Sequence, residues 1–339
     1  MLDRLSKLQL IVCPHSPIHD FESIVDPRYE KLRAVFRHLS DGTGFRDAET
    51  IIHAQIEDAF DAWLVDKTPQ TETSRSFALE GNPDVWQDRL RIELNYRRPS
   101  LANELNSARR ATTARLLEVC NRWRSDPDFS FEQTFKEEVV GYAKKIFGQS
   151  FEYIRRLLAY QSGTAPLDDA VCFPPAGYLL VTRMLSALES IFPTIEERIA
   201  YIRRFFVSDH FHSVPAVRIS ALFLATIARG VHSGVKKLPT GGIFNDIDAV
   251  ASYSPFCDAM FMDKQISHLA RQRELKKELS PSSRIFSLGA KEKTEFIDYL
   301  NSIETDASAE HLRLVEEVYG PDWPTPFEEL LSVVKERGK

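Results

Sequence analysis

Four carboxylates, Asp246, Asp248, Asp258 and Asp263, crowd one stretch of the chain, Asn245–Lys264. The stretch reads as helix, turn, buried strand. Ala259-Met-Phe-Met262 is a short apolar run, as expected of a strand covered on both faces. An Asp at each end of such a strand, with a third opening the preceding helix, can converge at one edge of a parallel sheet. Open α/β sheets bind their ligands at such edges. Carboxylates brought together there repel one another unless a cation sits among them.

Each acid also has a plainer reading. Asp246 suits a helix N-cap, accepting backbone N–H groups for about 1 kcal/mol. Asp248 reads as solvent-facing charge in a first helical turn. Asp258 either binds through water or merely ends the strand. His15 and His19 lie four apart without a third ligand, a weak zinc signal better suited to a structural or substrate-contact role. His210-Phe-His212 is weaker still. Cys257 reads as buried packing, since no His is placed nearby in sequence to activate it. Pro239-Thr-Gly-Gly242 lacks the spacing of a phosphate-binding glycine loop.

The elements that must position these residues lie at the two ends of the chain. Leu8–Cys13 reads as a short buried strand stopped by Pro14, followed by a helix from Pro17 that carries His19, Asp20 and Glu22. A helix follows Asp26-Pro27 and stops at Gly42, and Asp47 caps another that runs to about Leu64. Its apolar stripe is Ile52, Ile56, Ala59, Phe60 and Trp63. Residues 66–82 are polar and read as a loop. The pattern is then helical to about Gly230, with helices expected over 84–95, 100–124, 131–160, 175–192, 194–207 and 215–229. Beyond it come a short helix from Asp246, the 259–262 strand, a charged helix over 265–278, a strand at 284–287 and a helix over 291–303. Helices over 309–319 and 326–337 close the chain. Strand–helix units at both ends therefore enclose a helical block, which predicts an α/β domain with a large helical insertion.

These segments resemble a PIN-like nuclease domain. Cys13-Pro-His-Ser-Pro-Ile-His-Asp-Phe-Glu22 resembles the strand–turn–helix that carries that family's Glu, which would be Glu22. Asp246-Ile-Asp-Ala-Val-Ala resembles its late helix start, and Asp258-Ala-Met-Phe-Met-Asp263 its strand end. The resemblance covers residues 1–65 and 243–303, leaves 66–242 as an all-helical insertion and 304–339 as a helical tail. It implies a parallel α/β sheet flanked by helices, with Mg²⁺ or Mn²⁺ held by Asp246, Asp263 and Glu22 and with Asp258 as a further ligand. The implied activity is metal-dependent hydrolysis of phosphodiester bonds, with RNA as the expected substrate. The family's first strand and first Asp would precede Leu8–Cys13, so the expectation is that either the start is truncated or this version lacks one acid of the set. That leaves two rival expectations: an inactive PIN-like interaction module, or a mainly helical scaffold in which the acidic cluster is coincidental.

Composition bounds the rest. With 339 residues, 43% hydrophobic and 27% charged, the chain has the make-up of a globular protein. No window approaches a membrane span, and the start Met-Leu-Asp-Arg lacks a signal peptide's apolar core. Four scattered cysteines form no zinc spacing and fit a reducing cytoplasm. Of 43 Lys+Arg and 49 Asp+Glu, residues 86–240 hold 22 and 16, so a basic middle sits within acidic flanks. Basic pairs recur there at Arg97-Arg98, Arg109-Arg110, Lys144-Lys145, Arg155-Arg156, Arg203-Arg204 and Lys236-Lys237. Aromatics stand close by at Tyr96, Trp123, Phe151, Tyr153 and Phe205. A groove for single-stranded nucleic acid is one reading of that pattern, and solvated side chains snorkelling over apolar neighbours the other. The helical block would otherwise serve a protein partner or a homo-oligomer.

Overall fold

Pro215–His232 is apolar on nearly every side, with Ala216, Val217, Ile219, Leu222, Phe223 and Ile227 among its buried residues. A helix of that kind must be enclosed by others. Pro215 opens it at the first helical position, where its missing N–H costs nothing. The computed structural model describes residues 1–40, 42–68, 74–80, 101–167, 169–279 and 283–320. In chain order the helices begin with α1 (Leu2–Lys7), α2 (Pro17–Ser23), α3 (Tyr29–Ser40), α4 (Ala48–Leu64) and α5 (Arg75–Ala78). The middle of the chain forms α6 (Leu101–Ser125), α7 (Phe131–Gln161), α8 (Asp169–Cys172), α9 (Ala176–Ala187), α10 (Ile195–Phe205), α11 (Asp209–His212) and α12 (Pro215–His232). There follow α13 (Ile243–Tyr253), α14 (Lys264–Ala270), α15 (Arg273–Glu278), α16 (Ala290–Thr305) and α17 (Ala309–Tyr319).

α12 lies at the centre, packed by α7, α13, α6, α15, α14 and α4. Gln55 of α4, fully buried, accepts the Ala216 N–H at 3.0 Å and so satisfies one of the orphan donors at the start of α12. One continuous apolar core joins Ile52, Leu180, Phe223, Ile247, Ile266 and Leu275. The helical middle and the segments on either side of it therefore share their interior. An aromatic knot closes one part of it. Phe205 meets Phe60 edge-on with ring centroids 5.1 Å apart, and Phe211 at 5.7 Å.

Local signals set most helix ends. Asp47 caps α4 by accepting from Thr50 N at 2.9 Å. Thr194 and Glu197 form a capping box at the start of α10. Gly42, at φ 79°, supplies the left-handed residue after α3. The expected helix over 84–95, the pair Arg97-Arg98, Tyr96 and the helix over 326–337 lie outside the described residues.

Among the described residues the parallel α/β sheet of a PIN-like domain is not present. Those residues are about 70% helical, and their strands form two two-stranded sheets. β1 (Gly44–Phe45) pairs antiparallel with β2 (Leu79–Glu80), and β3 (Ala259–Phe261) parallel with β4 (Arg284–Phe286). Leu8–Cys13 is not a strand. α1 runs to Lys7, and the chain then turns through Gln9 in a left-handed conformation (φ 54°), with Leu10 N bonded to Leu5 O. Its extended remainder makes a single bridge, His15 to Gly44. Nor is Ala259–Met262 covered on both faces, since Phe261 is 40% exposed. A short apolar run has no periodicity of its own to distinguish a central strand from an edge. Here the interior was already filled by helices.

Because Phe205 is fully enclosed, Phe205→Ala should cost about 3–5 kcal/mol by cavity formation. Urea denaturation should show that loss, while Phe151→Ala, at a residue 59% exposed, should leave the midpoint nearly unchanged.

Candidate functional site

α13 carries the site, and its start is fixed by contact with α6. Gly241 N donates to Thr113 Oγ1 at 3.0 Å. A Cβ at Gly241 would lie 2.8 Å from that oxygen and 3.0 Å from Arg109 O, so only glycine allows the close approach. Ile243, Ile247, Val250 and Ala251 of α13 are buried against the core. That anchoring leaves Asp246 and Asp248, two residues apart, on different sides of the helix.

Asp246 is not a cap. Gly242 holds the N-cap position and Asp246 follows in the first turn. Its carboxyl is half-buried, and burial, followed by the charges of Glu22 and Asp263, pushes its pKa up to about 7. The three acids chosen from the sequence thus share one electrostatic environment, although they come from α2, α13 and the turn before α14. Glu22 Oε1 accepts from Asn245 Nδ2 at 3.2 Å, which ties α2 to α13. The capping role falls to Asp263, whose Oδ1 accepts from Ile266 N at 2.7 Å at the head of α14. Asp258 stands apart at the other end of β3, exposed and paired with Arg75 Nη2 at 3.3 Å.

The neighbouring histidines have structural partners. His15 Nε2 lies 3.0 Å from Asp20 Oδ2. The His19 ring shares a hydrogen bond with Ser16 Oγ at 3.1 Å and leans on Phe36. Burial lowers the His19 pKa, which Glu22 partly offsets. His210 Nε2 is 2.8 Å from Lys67 O. Burial pushes the Cys257 thiol up to about 12, so it is no nucleophile at neutral pH. Asp3, on α1, is engaged by His38 and by Lys7 Nζ, the latter at 3.1 Å.

Among the described residues no group of three or more His, Cys, Asp or Glu side chains closes around a point where a metal ion would sit. Glu22, Asp246 and Asp263 therefore form a like-charged set rather than a preformed three-ligand cage. Their donor chemistry still suits a hard cation. Mg²⁺ is commonly held by one or two carboxylates and completes its shell with water.

The sequence reading missed a second polar group. Asp248 does not face solvent as free first-turn charge. It sits in the field of Lys145 and Glu49, and burial pushes its pKa up to about 6. Glu49 and His53, four apart on α4, and Tyr142 and Lys145, three apart on α7, were the signal that these helices carry polar inner faces.

A carboxyl with a raised pKa destabilises the fold once it ionises. Unfolded, Asp246 loses its proton near 3.8; folded, it keeps it to about 7. Its contribution is therefore fully present below 3.8 and is lost as pH rises toward 7. Asp246→Asn should stabilise the protein at pH 8 relative to pH 4, by about 1 kcal/mol once solvent screening is allowed for. Thermal melts of both proteins at the two pH values measure this, and an equal difference at both would show that Asp246 is not perturbed. Comparison of the chain with protein families, with curated proteins and with solved structures found no match.

Proposed function

We propose that this protein is a divalent-cation-dependent hydrolase of phosphodiester bonds, with RNA as the substrate. The observation that carries the reading is the Asp246 carboxyl, half-buried and facing Glu22 and Asp263, with no basic group among the causes of its shift. Such a set is relieved either by a shared proton or by a cation. Asp246 and Asp263 would hold Mg²⁺ or Mn²⁺, with Glu22 as the third acid. A bound cation of this class polarises a phosphoryl oxygen and lowers the pKa of a water at its side.

The chain's own residues supply positioning. Asp263 is fixed by its bond to Ile266 N, and Glu22 by Asn245. Asn245 thereby holds one acid while its neighbour Asp246 presents another. The recurring basic pairs support a nucleic-acid substrate only in part. Arg155 and Arg156 are both spent on Glu152, at 2.8 Å each, and Arg204 stacks on Tyr201. Lys145 lies over the Tyr142 ring, while Lys144, Arg203 and Lys236-Lys237 are exposed and open to phosphate contact.

A second reading, a helical scaffold that binds a protein partner, is favoured by the outer face of α7. Phe151, Ile154 and Leu158 recur there at helical spacing and are exposed.

Calorimetry with Mn²⁺ distinguishes the two. The expected result is binding by the chain, lost in Asp246→Asn/Asp263→Asn, together with Mn²⁺-dependent cleavage of single-stranded RNA that the double variant lacks. Absence of Mn²⁺ binding by a folded chain would remove the hydrolase reading and leave the scaffold.

A further inference from the structure

A groove with a volume of about 450 Å³ opens where α1, α3, β3 and α16 meet. None of Glu22, Asp246 and Asp263 lines it. Lys293, Phe296, Ile297 and Leu300 line it from α16, at the spacing of one helical face. That wall is about 10 Å long at the rise of an α-helix. Leu2 and Asp3 of α1, Leu39 of α3 and Phe261 of β3 close the other sides. The walls are fixed by the protein itself. Phe296 is held between Phe261 and Phe286, with ring centroids 5.2 and 5.1 Å away. Arg4 ties α1 to α16 through Glu304 at 2.5 Å, and Asp3 ties α1 to α3 through His38. The volume falls in the range of small-molecule sites, about 300–1,000 Å³.

Nearly all of the lining is apolar, and Phe261, Leu288 and Ile297 bring it to the surface, where they are exposed. Two charged residues stand among these walls. Asp3 is already held twice, by Lys7 Nζ at 3.1 Å on one carboxylate oxygen and by His38 on the other. Lys293 is exposed, and among the described residues its ammonium makes no ion pair or hydrogen bond. The acids nearest to it on α16 are engaged elsewhere, Glu292 by Arg271 at 2.7 Å and Glu295 by Lys291 at 3.7 Å. The groove is thus an apolar trough with one unpaired cation, placed at the end of its α16 wall.

We infer that this groove binds a medium-chain aliphatic carboxylate, its tail along Phe296, Ile297 and Leu300 and its head on the Lys293 ammonium. Burial of the tail supplies the driving force, and the ammonium selects the charge of the head. An alkylammonium would bring a second cation to Lys293, with Asp3 already paired. A neutral alcohol would fill the trough and leave the cation without a partner. The inference is independent of the proposed hydrolase site, which shares no lining residue with the groove.

Decanoate is the probe, titrated calorimetrically into the full chain below its micelle-forming concentration. Saturable binding is expected, with decanol and decyltrimethylammonium weaker by about tenfold or more. Lys293→Met keeps the apolar stem and removes the charge. It should weaken decanoate by roughly tenfold or more, the loss of one charge-assisted hydrogen bond, and leave decanol unchanged. Ile297→Asp, at an exposed position, should abolish decanoate binding. Phe151→Asp, the same kind of change at an exposed residue of α7, should retain it. The inference is overturned if the wild-type chain does not bind decanoate, or if decyltrimethylammonium binds equally well. Undiminished binding by Lys293→Met or Ile297→Asp would also overturn it, and loss of binding in Phe151→Asp would assign the ligand to another surface.

Discussion

Enclosure of α12 is the constraint on which the rest of the molecule depends. A helix apolar on nearly every side can be stable in water only if other helices cover it. The chain meets that demand from both directions, with α4, α6 and α7 before it and α13 to α15 after it. Every segment that bears a candidate functional residue is then placed by its contact with this one element, or with a neighbour of it. Gln55 adds a directional bond at the start of α12, so α4 is fixed in register as well as in contact.

The same enclosure creates the electrostatics. α13 is drawn against α12 by its apolar residues, and that brings its two acids inward with it. Asp246 goes to the side of α2 and the head of α14, Asp248 to the side of α4 and α7. Among the described residues neither gains a basic partner within bonding distance, and desolvation shifts both carboxyls upward; Glu22 and Asp263 add to the shift at Asp246, while at Asp248 Lys145 opposes it and Glu49 adds to it. Two perturbed carboxyls on one short helix, facing different neighbours, each cost the fold free energy at neutral pH.

Several helix starts were legible in the sequence, although the single helix expected over 265–278 is two and the expected loop over 66–82 holds α5 and β2. Asp47, Thr194 and Pro215 start helices where cap chemistry places them, and the stripe Ile52, Ile56, Ala59, Phe60 faces the core. Glu22, Asp246 and Asp263 were expected together as metal ligands through a resemblance whose sheet the described residues lack; what the structure gives is that Glu22 and Asp263 raise the Asp246 pKa, with no three-ligand group among the described residues. The likeness rested on acids flanking a short apolar run. That pattern says which residues lie near a turn, but not what covers the run.

What the sequence by itself determined was local: where backbone N–H groups find caps, which residues share a helical face, and which stretches are apolar enough to need cover. Those properties depend on neighbours within a few positions. Only the tertiary structure decided that the interior is helical and β3 an edge, that Asp263 rather than Asp246 serves as a cap, and that Asp248 lies in the field of Lys145 and Glu49. Each of these depends on what lies across a contact between residues far apart in the chain. Burial and charge proximity, which set the behaviour of every acid here, come into being only when those residues meet.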